Sequence, residues 1–147
     1  GDETSPYHFE NAYLVEMESG VAGCLVAFPA DELGLPEIVY SVLPKERIDP
    51  ARPLFERRVP DSFYINTLAV DEAARGQGVA SLLLDFASEL ARSSGCDNLT
   101  LHAWGDNDIA LSLYRAYGFH ELEKIELPRT TTLAHDAPML LLKCPLA

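Results

Sequence analysis

The stretch that decides the fold is Ser62–Ser81, SFYINTLAVDEAARGQGVAS. Its first part, Ser62–Val70, carries Phe63, Tyr64, Ile65, Leu68 and Val70, the composition of a β-strand. Asp71-Glu72-Ala73-Ala74 then reads as a solvated polar turn. Gly76 and Gly78 follow, two apart. From Val79 to Ser93 apolar residues recur at 79, 82, 83, 86, 87, 90 and 91, which is the helical period. Gly95 supplies a helix stop. A glycine turn between a strand and a helix places unpaired N–H groups and a partial positive charge where a ligand can reach the backbone without a Cβ in the way. Phosphate groups are the ligands such a terminus favours.

Several phosphate loops share these glycines, and register separates them. A P-loop needs Gly-x-x-x-x-Gly-Lys-Ser/Thr, and no lysine follows here. A dinucleotide loop needs Gly-x-Gly-x-x-Gly/Ala, but counting from Gly76 places Ser81 at the final position. Such domains also continue in parallel βα units, whereas this chain closes on adjacent strands.

Working outward, Asn11–Glu18 and Val21–Phe28 form two strand-like runs joined at Ser19-Gly20, a β-hairpin signal. Residues 29–61 hold six of the ten prolines. So long a connection suggests a lid or binding loop, with a short helix or strand at Glu37–Leu43. Asn98–Trp104 is the next strand. Asp106 or Asn107 can cap the helix that runs to Tyr117, and Gly118 ends it. Phe119–Leu127 and Met139–Cys144 read as closing strands. The order ββ–loop–βαβαββ describes one mixed α/β (α+β) domain over residues 1–147.

Composition narrows the function classes. The formal net charge is −12, the wrong sign for nucleic acid held through its phosphates. Acidity keeps a protein soluble, and it can also steer a cationic amine. The apolar run Met139–Leu142 is too short for a membrane span, and no secretory leader is visible, so a cytoplasmic protein is expected. Cys24, Cys96 and Cys144 lie far apart, without zinc-ligand spacing, and read as free thiols; no metal site is expected.

Arg75-Gly76-Gln77-Gly78-Val79-Ala80 matches Arg/Gln-x-x-Gly-x-Gly/Ala. This resembles the pyrophosphate loop of the GNAT acyltransferases, which use acyl-coenzyme A. Residues 107–119, NDIALSLYRAYGF, resemble that family's Asn-x-x-Ala-x-x-x-Tyr-x-x-x-Gly-Phe signature. The two motifs stand in the family's order, and the resemblance spans roughly residues 11–144. It implies a mostly antiparallel mixed sheet with flanking helices. Only about ten residues precede the hairpin, so the family's N-terminal strand and helices are expected to lie outside a fragment, to have been lost, or to be supplied by another chain.

The resemblance also implies roles. Backbone N–H groups of Arg75, Gly76, Gln77, Gly78, Val79 and Ala80, with Ser81 beside them, would hold the pyrophosphate of acetyl-coenzyme A. The strand edge at Leu68, Ala69 and Val70 would pair with the pantetheine amides, and an N–H near Leu68 would stabilise the oxyanion. Tyr114 would protonate the departing thiolate. Asn107, Ala110 and Tyr114 are also spaced to share one helix face, offering an amide, a gap and a phenol to a thioester arm. The acceptor would be a small amine or an exposed amino group of a peptide.

The general base is unassigned. Many relatives carry a glutamate on the strand before the loop, and SFYINTLAV has none. Asn66 and Tyr64 occupy facing positions but are poor bases near neutrality, and a water chain to Asp61 is another route. His8, His102, His120 and His135 are scattered; His102 faces away from Leu101 and Ala103 and reads as structural. Trp104 either lines the pocket or caps the core. An exposed sheet end at Met139–Leu142 would offer an edge for a homodimer. Two further readings stay open: an acyl-coenzyme A binding or regulatory module without an acceptor site, and a dinucleotide-binding domain.

Overall fold

The structure is a computed structural model, and it describes residues 11–33, 42, 59–126 and 137–146. The hairpin is β1 (Ala12–Met17) and β2 (Gly20–Pro29). Then come β3 (Phe63–Val70), α1 (Val79–Ser93), β4 (Asn98–Trp104), α2 (Asp108–Tyr117), β5 (His120–Ile125) and β6 (Met139–Pro145). This is the element order read from the sequence. The strands form one six-stranded sheet in the order β1-β2-β3-β4-β6-β5. Only β3 and β4 run parallel, because α1 is the crossover between them; the other neighbours are antiparallel. The expected elements of segments 34–58 and 127–136 lie outside the described residues, apart from exposed Val42.

Period-two alternation splits the sheet into two faces. Phe63 and Ile65 of β3, Leu99, Leu101 and Ala103 of β4, and Leu140, Leu142 and Cys144 of β6 join Val79, Leu83, Leu84, Ala87 and Ala91 of α1 and Leu111 and Tyr114 of α2 in one core. The opposite face holds two smaller groups. Phe28, Ala30, Leu33 and Tyr64 make one. Ile125, Met139 and Leu141 make the other.

The helices end as their sequences dictate. Past α1, Cys96 N–H donates to Ala91 O at 2.8 Å and Gly95 N–H donates to Arg92 O at 3.1 Å, with Gly95 at φ 79°. That paired closure needs a left-handed residue, which glycine supplies. Gly23 serves packing instead. A Cβ there would stand 2.9 Å from Ala69 O and 2.9 Å from Val79 Cγ1, so its bareness lets α1 sit close against the sheet.

One expectation is corrected, and two elements gain detail. Met139–Leu142 is no sheet edge: β6 lies between β4 and β5, and these four residues are buried. The edges are β1 and β5, so the reason for expecting pairing at β6 is gone. Within the helical period of α1, Leu82 and Phe86 are exposed, at 55% and 41%. The buried arc of α1 runs instead through Leu83, Leu84, Ala87 and Ser88; Phe86 meets Tyr13 of the hairpin edge-on, with centroids 5.0 Å apart. Finally, β5 does not alternate cleanly. Its register slips between Glu121 and Glu123, leaving Leu122 45% exposed, as bulged edge strands do.

All three cysteines are free. Among the described residues, no helix is long and apolar enough to cross a membrane.

Candidate active site

The parallel pair β3–β4 is closed at one end and open at the other. Its register runs Phe63↔Leu99, Tyr64↔Thr100, Ile65↔Leu101 and stops there. Buried Ser62 pins the closed end: its Oγ donates to Val59 O at 2.6 Å and lies 3.0 Å from Thr100 Oγ1. Just past Ile65, β3 bulges against β2: Ala27 pairs with Ile65 and Val26 with Thr67, skipping Asn66. A bulge bends and twists its strand. From Asn66 to Val70 the β4-facing side of β3 therefore makes no ladder bonds. The two strands fork.

A cavity of about 710 Å³ opens along this fork on the helix side. Leu68, Ala69 and Val70 form one wall. Arg75, Gly76, Gly78, Val79, Ala80 and Ser81 close one end, and Asn107, Ala110 and Tyr114 come from α2. The fold thus gathers the residues singled out in the sequence into one concavity. Gln77 is the exception: it is exposed, and its Nε2 donates to Ala73 O at 3.3 Å, closing the turn. Ala74, Ile109 and Leu113 also line the cavity, without a motif to announce them.

The loop glycines are required by conformation. Gly76 and Gly78 have φ of 78° and 81°, and a Cβ on either would meet nothing within 4 Å. A left-handed backbone can bare successive N–H groups on one side, and both glycines line the concavity. Gly78 is also the N-cap of α1. It provides no side-chain cap, and the first turn carries no acid. The earliest intrahelical bond runs from Leu82 N–H to Gly78 O, so the N–H groups of Val79, Ala80 and Ser81 are left without helical acceptors. The start of α2 differs. Asn107 Oδ1 accepts from Ala110 N–H at 3.3 Å and caps the helix. Asn107 therefore caps the helix instead of standing within it, and its Nδ2 is the group left for a ligand.

Tyr114 sits where the α2 wall meets the core, buried and edge-on to Phe119 with centroids 5.5 Å apart. Burial pushes its phenol above the usual value, so it stays a proton donor throughout the neutral range. The ends of the cavity are therefore chemically distinct: an anion-attracting helix start at one, a protonated phenol at the other.

Residues 2–119 match the model of the acetyltransferase (GNAT) family. The chain belongs to that family. A stretch is 42% identical over 60 residues to GCN5-related N-acetyltransferase 6, chloroplastic, of Arabidopsis thaliana, covering 41% of this chain and 21% of that protein. Another is 37% identical over 79 residues to mycothiol acetyltransferase of Jonesia denitrificans, covering 52% and 25%. The chain thus spans about a quarter or less of these curated relatives. Among solved structures, an N-acetyltransferase from Staphylococcus aureus Mu50 superposes with a TM-score of 0.67 at 27% identity, covering 95% of this chain and 73% of that one. Ard1 from Thermoplasma volcanium superposes at 0.66 with 18% identity, covering 99% and 76%, a likeness of fold.

On the far face of the GNAT sheet the structure shows what the sequence reading passed over. Tyr64 Oη and His102 Nδ1 are 2.8 Å apart, joining β3 to β4. Neither spacing nor motif signals the pair, because its members are 38 residues apart; only the β3–β4 register brings them together. Trp104 packs against Ile125, Met139 and Leu141 and does not line the cavity, so it caps the core. Asp61 precedes the closed end of β3, and at about 3.3 Å per residue it lies up to roughly 23 Å from Leu68, a span for several waters in a chain. His120 is exposed, and His8 and His135 lie outside the described residues. Among the described residues, no group of three His, Cys, Asp or Glu side chains could hold a metal ion.

Proposed function

We propose that this GNAT protein transfers an acetyl or related acyl group from acyl-coenzyme A to an amine by direct attack within a ternary complex. One observation carries the reading: the uncapped N-terminus of α1, the forked edge of β3 and the Tyr114 phenol line a single cavity. A pyrophosphate suits the N–H groups from Gly76 to Ser81, where charge-assisted bonds and the helix dipole act together. The open edge at Leu68–Val70 suits the amides of a pantetheine arm, which would add to the fork as a strand adds to a sheet. Asn107 Nδ2 and the gap above Ala110 would guide the arm.

In the reaction, the amine nitrogen bonds to the thioester carbon and gives up a proton to solvent. The Leu68 N–H stabilises the oxyanion. As the C–S bond breaks, Tyr114 donates its proton toward sulfur. Burial raises the phenol, which by itself makes full transfer harder. The same dry surroundings penalise a bare thiolate, so donation to the leaving sulfur is favoured where both are buried. The acceptor is a small-molecule amine or an exposed peptide amino group, consistent with the protein's acidity.

Titration with acetyl-coenzyme A, coenzyme A and NAD, followed by a thiol-release assay over an amine panel, tests this. Micromolar acetyl-coenzyme A binding with amine-dependent thiol release is expected. Binding without release would identify a non-catalytic acyl-coenzyme A module, and binding of NAD alone would refute the proposal.

A further inference from the structure

We infer that Tyr117 is a positioning residue: its hydrogen bond to Asp85 holds α2 at the tilt that the acyl donor needs. This rests on the acyltransferase reading and names a contact, outside the cavity, that sets donor affinity.

The two helical walls of the cavity are held very differently. α1 buries Val79, Leu83, Leu84, Ala87, Ser88 and Ala91, so its start and the free N–H groups there have a fixed place. α2 buries only Leu111 and Tyr114. Other α2-side positions, from its cap Asn107 through Ile109 and Ala110 to Leu113, line the cavity, and Ile109 is 85% exposed. A helix set against open space gains little from burial, and tertiary packing is what normally fixes a helix this short.

A polar tie compensates. Among the described residues, the side-chain hydrogen bonds that join α2 to α1 all belong to Tyr117. Its Oη donates to Asp85 Oδ1 at 2.7 Å and lies 3.2 Å from Ser88 Oγ. Each hydroxyl has a single proton. Ser88 gives its own to Leu84 O at 3.0 Å, which leaves the Asp85 carboxylate as acceptor of the phenol proton. Burial raises the Tyr117 phenol, and the carboxylate beside it adds to this, so the donor proton is present near neutral pH. The ring leans on Phe119 with centroids 6.2 Å apart, and Phe119 stands edge-on to Tyr114.

The order of these attachments along α2 makes a lever. Leu111 and Tyr114, sunk in the core, are its fulcrum. Tyr117 lies about one turn beyond, and Asn107 about one turn before. At about 1.5 Å per residue the two arms are each roughly 5–6 Å long. Freeing the Tyr117 end lets α2 tilt, and the Asn107 end swings by a similar distance the opposite way. A shift of about 1 Å spoils a hydrogen bond whose ordinary length is about 2.9 Å. Tyr114, at the fulcrum, keeps its place. The tie therefore governs how Asn107 and Ala110 meet the arm of the donor, and leaves proton donation by Tyr114 alone.

The test compares the wild-type chain with Tyr117→Phe, Asp85→Ala, Asp85→Asn and the Tyr117→Phe/Asp85→Ala double variant, by calorimetry with acetyl-coenzyme A and by thiol release over the amine panel. Tyr117→Phe keeps the ring on Phe119, and Asp85 is exposed, so these variants should fold. A hydrogen bond of this kind shifts an equilibrium about five- to tenfold, and the competent fraction of α2 scales the apparent Kd directly. The Kd should rise about five- to tenfold in Tyr117→Phe and in Asp85→Ala, with kcat at saturating donor within about twofold. The double variant should lose no more than either single one, because the same bond is removed in all three. Asp85→Asn keeps an oxygen acceptor and should recover most of the affinity. Gly95→Ala, which strains the chain just past α1 without touching the tie, should bind within about twofold of wild type. If Tyr117→Phe and Asp85→Ala bind within about twofold of wild type, or lose kcat instead of affinity, the tie serves stability alone and the inference is overturned, while the transferase reading stands. Additive losses in the double variant, or a loss in Asp85→Asn as large as in Asp85→Ala, would overturn it too. If the wild-type protein neither binds acetyl-coenzyme A nor releases thiol, both readings fall.

Discussion

The sharpest test of the cofactor loop compares two glycines that differ only in what surrounds them. Gly78 caps the start of α1 at φ 81°, and Gly95 follows its end at φ 79°; at neither would a Cβ meet an atom within 4 Å. Replacing either with alanine forces a side chain into the left-handed region, at a cost of about 1–2 kcal/mol. For a chain of this size each kilocalorie lowers Tm by roughly 2–4 °C. Gly78→Ala and Gly95→Ala should therefore lose similar stability, read from paired urea and thermal melts. Binding should separate them. Gly78 lines the cavity and directs the free N–H groups of Val79, Ala80 and Ser81, whereas Gly95 does not line it. Misaligning one charge-assisted bond costs about 1.5–3 kcal/mol. Gly78→Ala should thus weaken acetyl-coenzyme A binding about 10- to 100-fold by calorimetry, and Gly95→Ala should leave it within about twofold. If the two variants bind alike, Gly78 serves only the turn and the assignment of the pyrophosphate to this helix start fails.

Other perturbations probe the frame around the site. Gly23→Ala drives a methyl against Ala69 O and Val79 Cγ1; overpacking of this kind costs about 1–3 kcal/mol, and because both neighbours border the cavity, coenzyme A affinity should fall along with Tm. Tyr117 Oη donates to Asp85 Oδ1 at 2.7 Å and lies 3.2 Å from Ser88 Oγ, tying α2 to α1. Tyr117→Phe should cost about 1 kcal/mol in urea melts, since Ser88 keeps its bond to Leu84 O. Tyr114 should also leave a mark on stability at high pH. Its folded phenol is raised by burial, so its contribution is fully present below the unfolded value near 10 and is lost as pH rises through the folded value. Tyr114→Phe should remove that part of the alkaline decline in melts between about pH 9 and 11, while Tyr117, also raised by burial, accounts for a remainder. In turnover, Tyr114→Phe should lower kcat about 100-fold or more without a change in coenzyme A affinity; unchanged kcat would remove the acid role.

The fold was legible because its strongest signals are local. Ser62–Val70 has strand composition, the α1 pattern has helical period, and Gly95 and Gly118 stop both helices at left-handed φ. These depend on near neighbours in sequence. What was misread or left open depends on neighbours in space. Met139–Leu142 looks like a terminal edge because it closes the chain, yet strand order is not chain order, and β6 is inserted between β4 and β5. Leu82 and Phe86 fit the helical period, but the stripe they extend is wider than the sheet that α1 covers, so they meet the hairpin edge instead. The same rule governs the site. The loop and the α2 face were visible as motifs, whereas the skipped residue Asn66 and the Tyr64–His102 bond exist only through pairing register.

That division bears on how the site works. The residues with motifs belong to the part that would hold the acyl donor, and they sit where short-range geometry fixes them: a glycine turn, a helix start, a helix face. The residues without a motif stand on the opposite side of the fork. Asn66 connects the halves. Its bulge ends the β3–β4 ladder, which opens a strand edge toward the cavity on one side and leaves Tyr64 and His102 at the crotch on the other. Deleting Asn66 would leave Leu68 opposite Leu25 and Val70 opposite Gly23, on the faces they now occupy, but would remove the bend that parts β3 from β4. Leu68 and Val70 would still pack toward the helix-side core, but the β3 edge beyond Ile65 would close toward β4, where the pantetheine arm is proposed to lie. The deletion should therefore abolish coenzyme A binding even in protein that still folds. Tight binding by a folded deletion variant would show that the fork does not depend on the bulge.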